Sequence, residues 1–294
     1  MKDFIGRKAE LLLMEDEYRR EGSFLVLYGR RRVGKTTLIK EFIKGKKALY
    51  FLASQETERL NMQRFTSDVA RFTKQDVLET VRFSDWRSLF QVIADYLPHE
   101  RKVIIIDEFP YLVQVNPAFP SILQYVWDEI LQGGNTMLIL CGSSMSMMEN
   151  AALSYSSPLY GRRTAQLKLK PLRFIELCEA MPSRSYSSLV ELYALTGGVP
   201  KYLEFFESGL PLHTSIERNV LSTSGFLYNE PRFLLEQEVQ NPINYFSLLR
   251  VIAEKKHKLS DITGILEKKH GEVTPYLKTL VDLGYIERCV PFNE

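Results

Sequence analysis

The chain has 294 residues, 45% of them hydrophobic and 25% charged, and 38 Lys and Arg stand against 36 Asp and Glu for a net charge of +2. That is the make-up of a folded globular chain of two or three domains; it excludes a disordered or fibrous protein and gives no bulk drive toward nucleic acid. No apolar run nears the roughly 18 to 20 residues of a membrane span, the N-terminus lacks a signal-like apolar core, and three cysteines without paired spacing (Cys141, Cys178, Cys289) point away from disulfides and zinc and toward a reducing cytoplasm.

From Ser23 to Pro171, β-rich runs alternate with amphipathic helical stretches. The runs are Phe24 to Tyr28, Ala48 to Leu52, Val103 to Ile106, Met137 to Leu140 and Gln166 to Leu169, with helices predicted over Thr37 to Ile43, Leu60 to Phe72 and Trp86 to Leu97. Such alternation predicts an α/β domain whose mostly parallel sheet is covered on both faces. Beyond Pro171 the strand signal stops. Helices are expected over Phe174 to Met181, Ser187 to Thr196, Lys201 to Glu207 and Leu212 to Leu221, forming a small helical subdomain. From Pro242, helices over Tyr245 to Ala253, Ser260 to Leu266 and Pro275 to Leu283 precede a strand over Tyr285 to Val290, the pattern of a winged helix-turn-helix. The expected division is therefore 1–171, 172–240 and 241–294.

The strongest chemical signal is Gly29-Arg-Arg-Arg-Val-Gly34-Lys35-Thr36, a full G-x-x-x-x-G-K-[ST] phosphate loop between an apolar strand and a helix. Its glycines let backbone N–H groups close on phosphate oxygens, Lys35 adds a point charge, and the Thr36 hydroxyl can ligand Mg²⁺. Arg32, Val33 and Thr37 complete the stretch that wraps the phosphates, although Arg30, Arg31 and Arg32 read as solvated or acting from behind the direct contacts.

A second signal is Val103-Ile-Ile-Ile-Asp107-Glu108. A carboxylate ending a buried strand beside the loop can hold the metal's water shell, which assigns Asp107 to Mg²⁺ with Thr36. The next carboxylate, Glu108, can polarise an attacking water. The strand Met137 to Leu140 ends in Cys-Gly-Ser143-Ser144, so Ser143 or Ser144 is the candidate to sense the γ-phosphate; turn chemistry explains the pair equally well. Arg162 or Arg163, before the fifth strand, can meet the γ-phosphate of a neighbouring subunit or of its own, or remain a solvated surface arginine. The four histidines lack metal-ligand spacing.

With these motifs in place, the chain resembles the archaeal-type ATPase family, a branch of the AAA+/STAND-like P-loop ATPases. The resemblance also rests on Phe4-Ile-Gly-Arg7 with Glu10-Leu11, on Ser157-Pro-Leu-Tyr-Gly-Arg162 and on Gly197-Gly-Val-Pro200-Lys-Tyr202. Leu227-Tyr-Asn-Glu-Pro231 and the run Tyr276 to Ile286 complete it. It implies a sheet of order 5-1-4-3-2, a helical lid and a winged helix, with ATP or ADP and Mg²⁺ as cofactors. It also implies that Ile5, Gly6, Arg7, Val199 and Pro200 flank the adenine and that Lys201 stands near a second sensor position.

The leading functional expectation is a Mg²⁺-dependent ATPase whose nucleotide state sets the arrangement of lid and winged helix, with Lys35, Asp107, Glu108, Ser143 and Arg162 as its catalytic set. The alternative is a slow, nucleotide-gated switch acting through protein or DNA partners. A small-molecule kinase is disfavoured, because Glu108 supplies a water-activating acid and no acceptor pocket is legible. An unidentified protein partner is expected and a membrane is not; the sequence allows a homo-oligomer without fixing the oligomeric state. From Pro242 onward eight bases face seven acids, so duplex DNA binding should be weak and unspecific, with Lys268, Lys269 and Lys278 as the main contributors.

Overall fold

The apolar runs all form strands, the central ones being buried on both faces. In the computed structural model, which describes residues 4–206 and 210–289, they are β1 (Ser23–Tyr28), β2 (Lys47–Leu52), β3 (Lys102–Asp107), β4 (Thr136–Gly142) and β5 (Ala165–Lys168). They form one all-parallel sheet in the order β2-β3-β4-β1-β5, the order the resemblance implies. Every residue of β1, β3 and β4 is buried, whereas the edge strands β2 and β5 alternate with exposed positions.

Alternation of side chains along each strand divides the core into two layers. Leu25, Leu27, Val103, Ile105, Met137 and Ile139 face one side, where Met14 of α1 (Lys8–Arg19) and Leu38, Ile39 and Phe42 of α2 (Lys35–Phe42) cover them. An aromatic cluster fills the opposite layer. Phe51 of β2 meets Phe65 of α3 (Glu58–Thr73) at a centroid distance of 5.0 Å, and Phe65 meets Phe90 of α4 (Trp86–Asp95) at 5.3 Å. Phe109 of α5 (Phe109–Val115) and Phe119 of α6 (Phe119–Val126) lie 6.0 Å apart in the same layer. A π-helical turn, Trp127–Leu131, prolongs α6 and sets Trp127 against Phe24 at 5.1 Å.

The chain forms two compact units, Met1–Leu212 and His213–Glu294. The expected boundaries at 171/172 and 240/241 divide it differently. The first unit includes, after α7 (Met145–Met148), the helices α8 (Phe174–Ala180), α9 (Tyr186–Thr196) and α10 (Pro200–Leu203). Leu172 N donates to Gly198 O at 2.8 Å, and the Tyr193 hydroxyl to Leu172 O at 3.1 Å, tying this helical part together. The helix predicted over Lys201 to Glu207 is instead the short α10 and a 3₁₀ turn, Glu204–Phe206; Glu207 lies outside the described residues.

After α11 (Leu212–Ile216), the second unit contains α12 (Glu230–Glu238), α13 (Ile243–Ala253), α14 (Leu259–Leu266) and α15 (His270–Asp282) around Leu235, Leu248, Val251, Ile262, Val273 and Leu280. The helix α15 begins at His270, five residues before the expected Pro275. Its true start is fixed by Glu272, whose carboxylate accepts the Lys269 backbone N–H at 2.9 Å, half of a capping box. The strand predicted over Tyr285 to Val290 is not formed over residues 285–289, and Val290 lies outside the described residues. Apolar alternation alone does not make a strand: it needs a paired neighbour, and among the described residues none runs alongside. Among the described residues, no helix is long and apolar enough to cross a membrane.

Candidate nucleotide site

Three adjacent strands, β3, β4 and β1, end on the same edge of the sheet, with Leu27 in register with Cys141 and Ile106 with Leu140. The carboxyl edge of a parallel sheet, where neighbouring connections diverge, is where such folds place ligands. Here it gathers the phosphate loop after β1, Asp107-Glu108 after β3 and Ser143 after β4.

Close packing dictates the glycine at position 29. A Cβ there would lie 2.3 Å from the Leu169 carbonyl oxygen, so no side chain fits between the loop and the residue that follows β5. Gly34 takes φ 94° and opens α2 with no side-chain cap, leaving the first N–H groups of that helix for an anion. Lys35 is 6% exposed and donates to Gly29 O at 2.8 Å and Arg30 O at 3.0 Å, leaving one of its three protons for a phosphate oxygen. Burial weakens its hold on its proton, and the charges of Glu108 and Asp107 offset this in part.

Asp107 is 1% exposed and has three donors. Its Oδ2 accepts from Thr36 Oγ1 at 2.9 Å and from the Tyr50 hydroxyl at 2.6 Å, while Oδ1 accepts from Glu108 N at 2.9 Å. Burial, then the neighbouring carboxylate, pushes the Tyr50 phenol well above its ordinary value, so it stays a donor. The buried Cys141 thiol beside Asp107 is likewise pushed up and stays neutral.

Glu108 takes the left-handed conformation, φ 54°, between the end of β3 and the start of α5. Both its carboxylate oxygens lie 3.0 Å from Ser143 Oγ, and the Ser143 backbone N–H lies 3.4 Å from Oε2. Ser144 stands at the start of α7.

A cleft beside the phosphate loop is assembled from distant segments. Phe4, Ile5, Arg7, Val33, Gly34, Thr37, Leu172, Pro200 and Glu204 line a cleft of about 100 Å³. That is below the roughly 300 to 1,000 Å³ of complete ligand pockets and suits one part of a larger ligand. Gly6 and Arg7 both take positive φ, 61° and 63°, and the Arg7 guanidinium donates to Val33 O at 2.9 Å, joining this turn to the phosphate loop.

Other candidates are engaged elsewhere. Arg162 forms a forked pair with Asp128, Nη2 to Oδ2 at 2.7 Å and Nε to Oδ1 at 2.8 Å. Arg163 Nη1 donates to Leu153 O at 3.4 Å, and Lys201 pairs with Glu204 at 2.6 Å. Arg31 reaches the Tyr111 hydroxyl at 3.3 Å. In the second unit, Lys268 donates to Asn244 Oδ1 at 2.8 Å. The sequence reading missed Tyr50, Asp128 and Glu176. Tyr50 is one aromatic in the apolar run KALYFL, and only the β2–β3 register, Leu52 opposite Asp107, brings it to the site.

A metal fits this donor set. Thr36 and Asp107 offer hard oxygens 2.9 Å apart, and Mg²⁺ is usually held by one or two protein oxygens with phosphates and waters completing its shell. Among the described residues no cluster of three or more His, Cys, Asp or Glu side chains suits a metal held wholly by protein.

Comparison with known proteins bears on the family and the fold. An uncharacterized protein of Methanocaldococcus jannaschii is 37% identical over 292 residues, 99% of this chain, which spans 63% of that relative's length. An uncharacterized ATP-binding protein of the same organism is 49% identical over 45 residues, 15% of this chain and 76% of that protein. Among solved structures, a Walker-type ATPase of Pyrococcus abyssi matches with TM-score 0.73 and 19% identity, covering 97% of this chain and 91% of that one. The ORC2 protein of Aeropyrum pernix matches with TM-score 0.63 and 15% identity, covering 98% and 89%. At such identities these two show the fold. The profile of an ATPase domain found predominantly in Archaea matches residues 4–206, and the chain belongs to that family.

Proposed function

We propose that the chain binds ATP or ADP with Mg²⁺ and hydrolyses ATP by attack of water on the γ-phosphorus. The observation that carries this reading is the convergence of Thr36 on Asp107, 2.9 Å apart, beside Lys35 and Glu108. Backbone N–H groups from Gly29 to Thr37, Arg32 and Val33 among them, wrap the phosphates, and the Lys35 ammonium takes β- and γ-oxygens. Ile5, Gly6, Arg7 and Pro200 flank the adenine. Thr36 and Asp107 hold Mg²⁺, which when bound neutralises charge on the phosphate oxygens. Glu108 orients the water and accepts its proton, Ser143 holds Glu108 in place, and Arg162 meets the γ-phosphate once released from Asp128. In this reading α8 to α10 act as a lid, α13 to α15 act as the helical part of a winged-helix unit, and nucleotide state sets their arrangement.

A second reading is a slow switch that holds nucleotide and acts through partners. It is favoured by the Glu108 carboxylate, which is turned toward Ser143 with both oxygens 3.0 Å from that hydroxyl. Phosphate release from ATP by the full chain, with Mg²⁺ or with EDTA, separates the two. The ATPase reading expects Mg²⁺-dependent turnover that Glu108→Gln lowers by about a hundredfold or more while nucleotide binding persists. Tight binding with negligible wild-type turnover selects the switch, and failure to bind ATP at all refutes both.

A further inference from the structure

Glu176 lies on α8, 169 residues from Arg7 in sequence, yet it is buried and its carboxylate grips the turn at Arg7. Its Oε1 accepts the Arg7 backbone N–H at 3.1 Å; its Oε2 accepts the Arg173 backbone N–H at 2.8 Å. Gly6 leaves no room to spare: a Cβ there would lie 2.9 Å from Glu176 Oε1. The turn needs this grip, because a left-handed arginine at φ 63° is strained and its buried N–H requires an acceptor. From Arg7 the connection continues through its guanidinium to Val33 O, and both residues line the base-side cleft.

We propose that Glu176 is a positioning residue for nucleoside recognition, fixing the Ile5–Gly6–Arg7 turn before the ligand arrives; this rests on the reading of that cleft as the adenine site. The phosphates would be held by backbone N–H groups of Gly29 to Thr37 and by Lys35; the turn meets that loop at a carbonyl, Val33 O, and not at an N–H group that would face phosphate. Loosening the turn therefore taxes chiefly the nucleoside half of the ligand, because ordering the turn becomes part of binding.

The carboxylate offers one acceptor to each of two backbone donors, whereas an amide offers one acceptor in all. Glu176→Gln must leave either Arg7 N–H or Arg173 N–H facing a donor. The loss expected is about tenfold in affinity for ATP and ADP. Inorganic tripolyphosphate, which lacks the nucleoside, should bind the variant as it binds the wild type. Gly6→Ala, which displaces the turn from Glu176 without altering α8, should give the same selective loss. Calorimetry of the full chain with Mg²⁺ and each ligand supplies these comparisons, and unchanged tripolyphosphate affinity certifies a folded phosphate loop. Equal losses for ATP and tripolyphosphate, or unchanged ATP affinity in both variants, overturn the proposal. A wild type that binds tripolyphosphate as tightly as ATP instead overturns the adenine reading itself.

Discussion

Replacing Tyr50 by Phe removes one oxygen, keeps the ring, and deprives Asp107 of the donor that lies 2.6 Å from its Oδ2. Hydrogen bonds to charged groups contribute about 1.5 to 3 kcal/mol. The lower end applies here, since Tyr50 is half-buried and Asp107 keeps the donors Thr36 Oγ1 and Glu108 N. We therefore expect Tyr50→Phe to cost about 1.5 kcal/mol at pH 7 and to weaken Mg²⁺-dependent ATP binding about tenfold, through a less firmly held Asp107. The pH dependence has a definite sign. Burial and Asp107 raise the phenol above its ordinary 10.0, so an unfolded Tyr50 ionises at lower pH than a folded one. Its contribution is complete below pH 10 and declines as pH rises further, a decline that Phe cannot show. The gap between the two proteins should thus be full at pH 7 and shrink in alkali. Urea denaturation followed by tryptophan fluorescence at pH 7 and above pH 10 measures both effects. Equal stabilities at pH 7, or a gap that widens in alkali, would refute the assigned bond.

Lys35→Ala should abolish ATP binding by calorimetry. Because Lys35 also braces two loop carbonyls, it should cost about 1 to 3 kcal/mol of stability as well, and a variant with wild-type affinity would contradict the phosphate-loop assignment. Gly29→Ala forces a Cβ to 2.3 Å from Leu169 O, so the loop must move; thermal melting should fall by several degrees and nucleotide binding with it. Arg162→Ala breaks a pair whose side chains remain 26% and 31% exposed, and it should cost no more than about 1 kcal/mol in urea unfolding. Duplex DNA, titrated at several salt concentrations, should bind no tighter than about 1 µM and without sequence preference; nanomolar selective binding would show a basic face that the near balance of charge conceals.

Much of the sheet was legible because local pattern and tertiary burial agree there. Val103 to Ile106 is apolar on both faces and ends in Asp107, so strand, burial and site follow from one short run. The phosphate loop was legible because its chemistry is contiguous. What stayed hidden is long-range. Tyr50 and Asp107 are 57 residues apart, and Arg7 and Glu176 are 169 apart; neither spacing carries a periodic signal. Helix α15 was misread at its start because Pro275 imitates a first-turn proline while Glu272 does the capping. Helix α12 escaped notice because few of its residues are buried, Leu234 and Leu235 chief among them.

The left-handed backbone at Glu108 makes this position a point of tension between durability and chemistry. Asparagine or glycine would occupy φ 54° with less strain, about 1 kcal/mol less. Selection for thermostability alone would therefore drift toward Glu108→Asn or Glu108→Gly, yielding sturdier proteins without the carboxylate that faces Ser143. Heat-challenge libraries of this chain screened only for survival should accumulate such changes, whereas libraries screened for phosphate release should purge them.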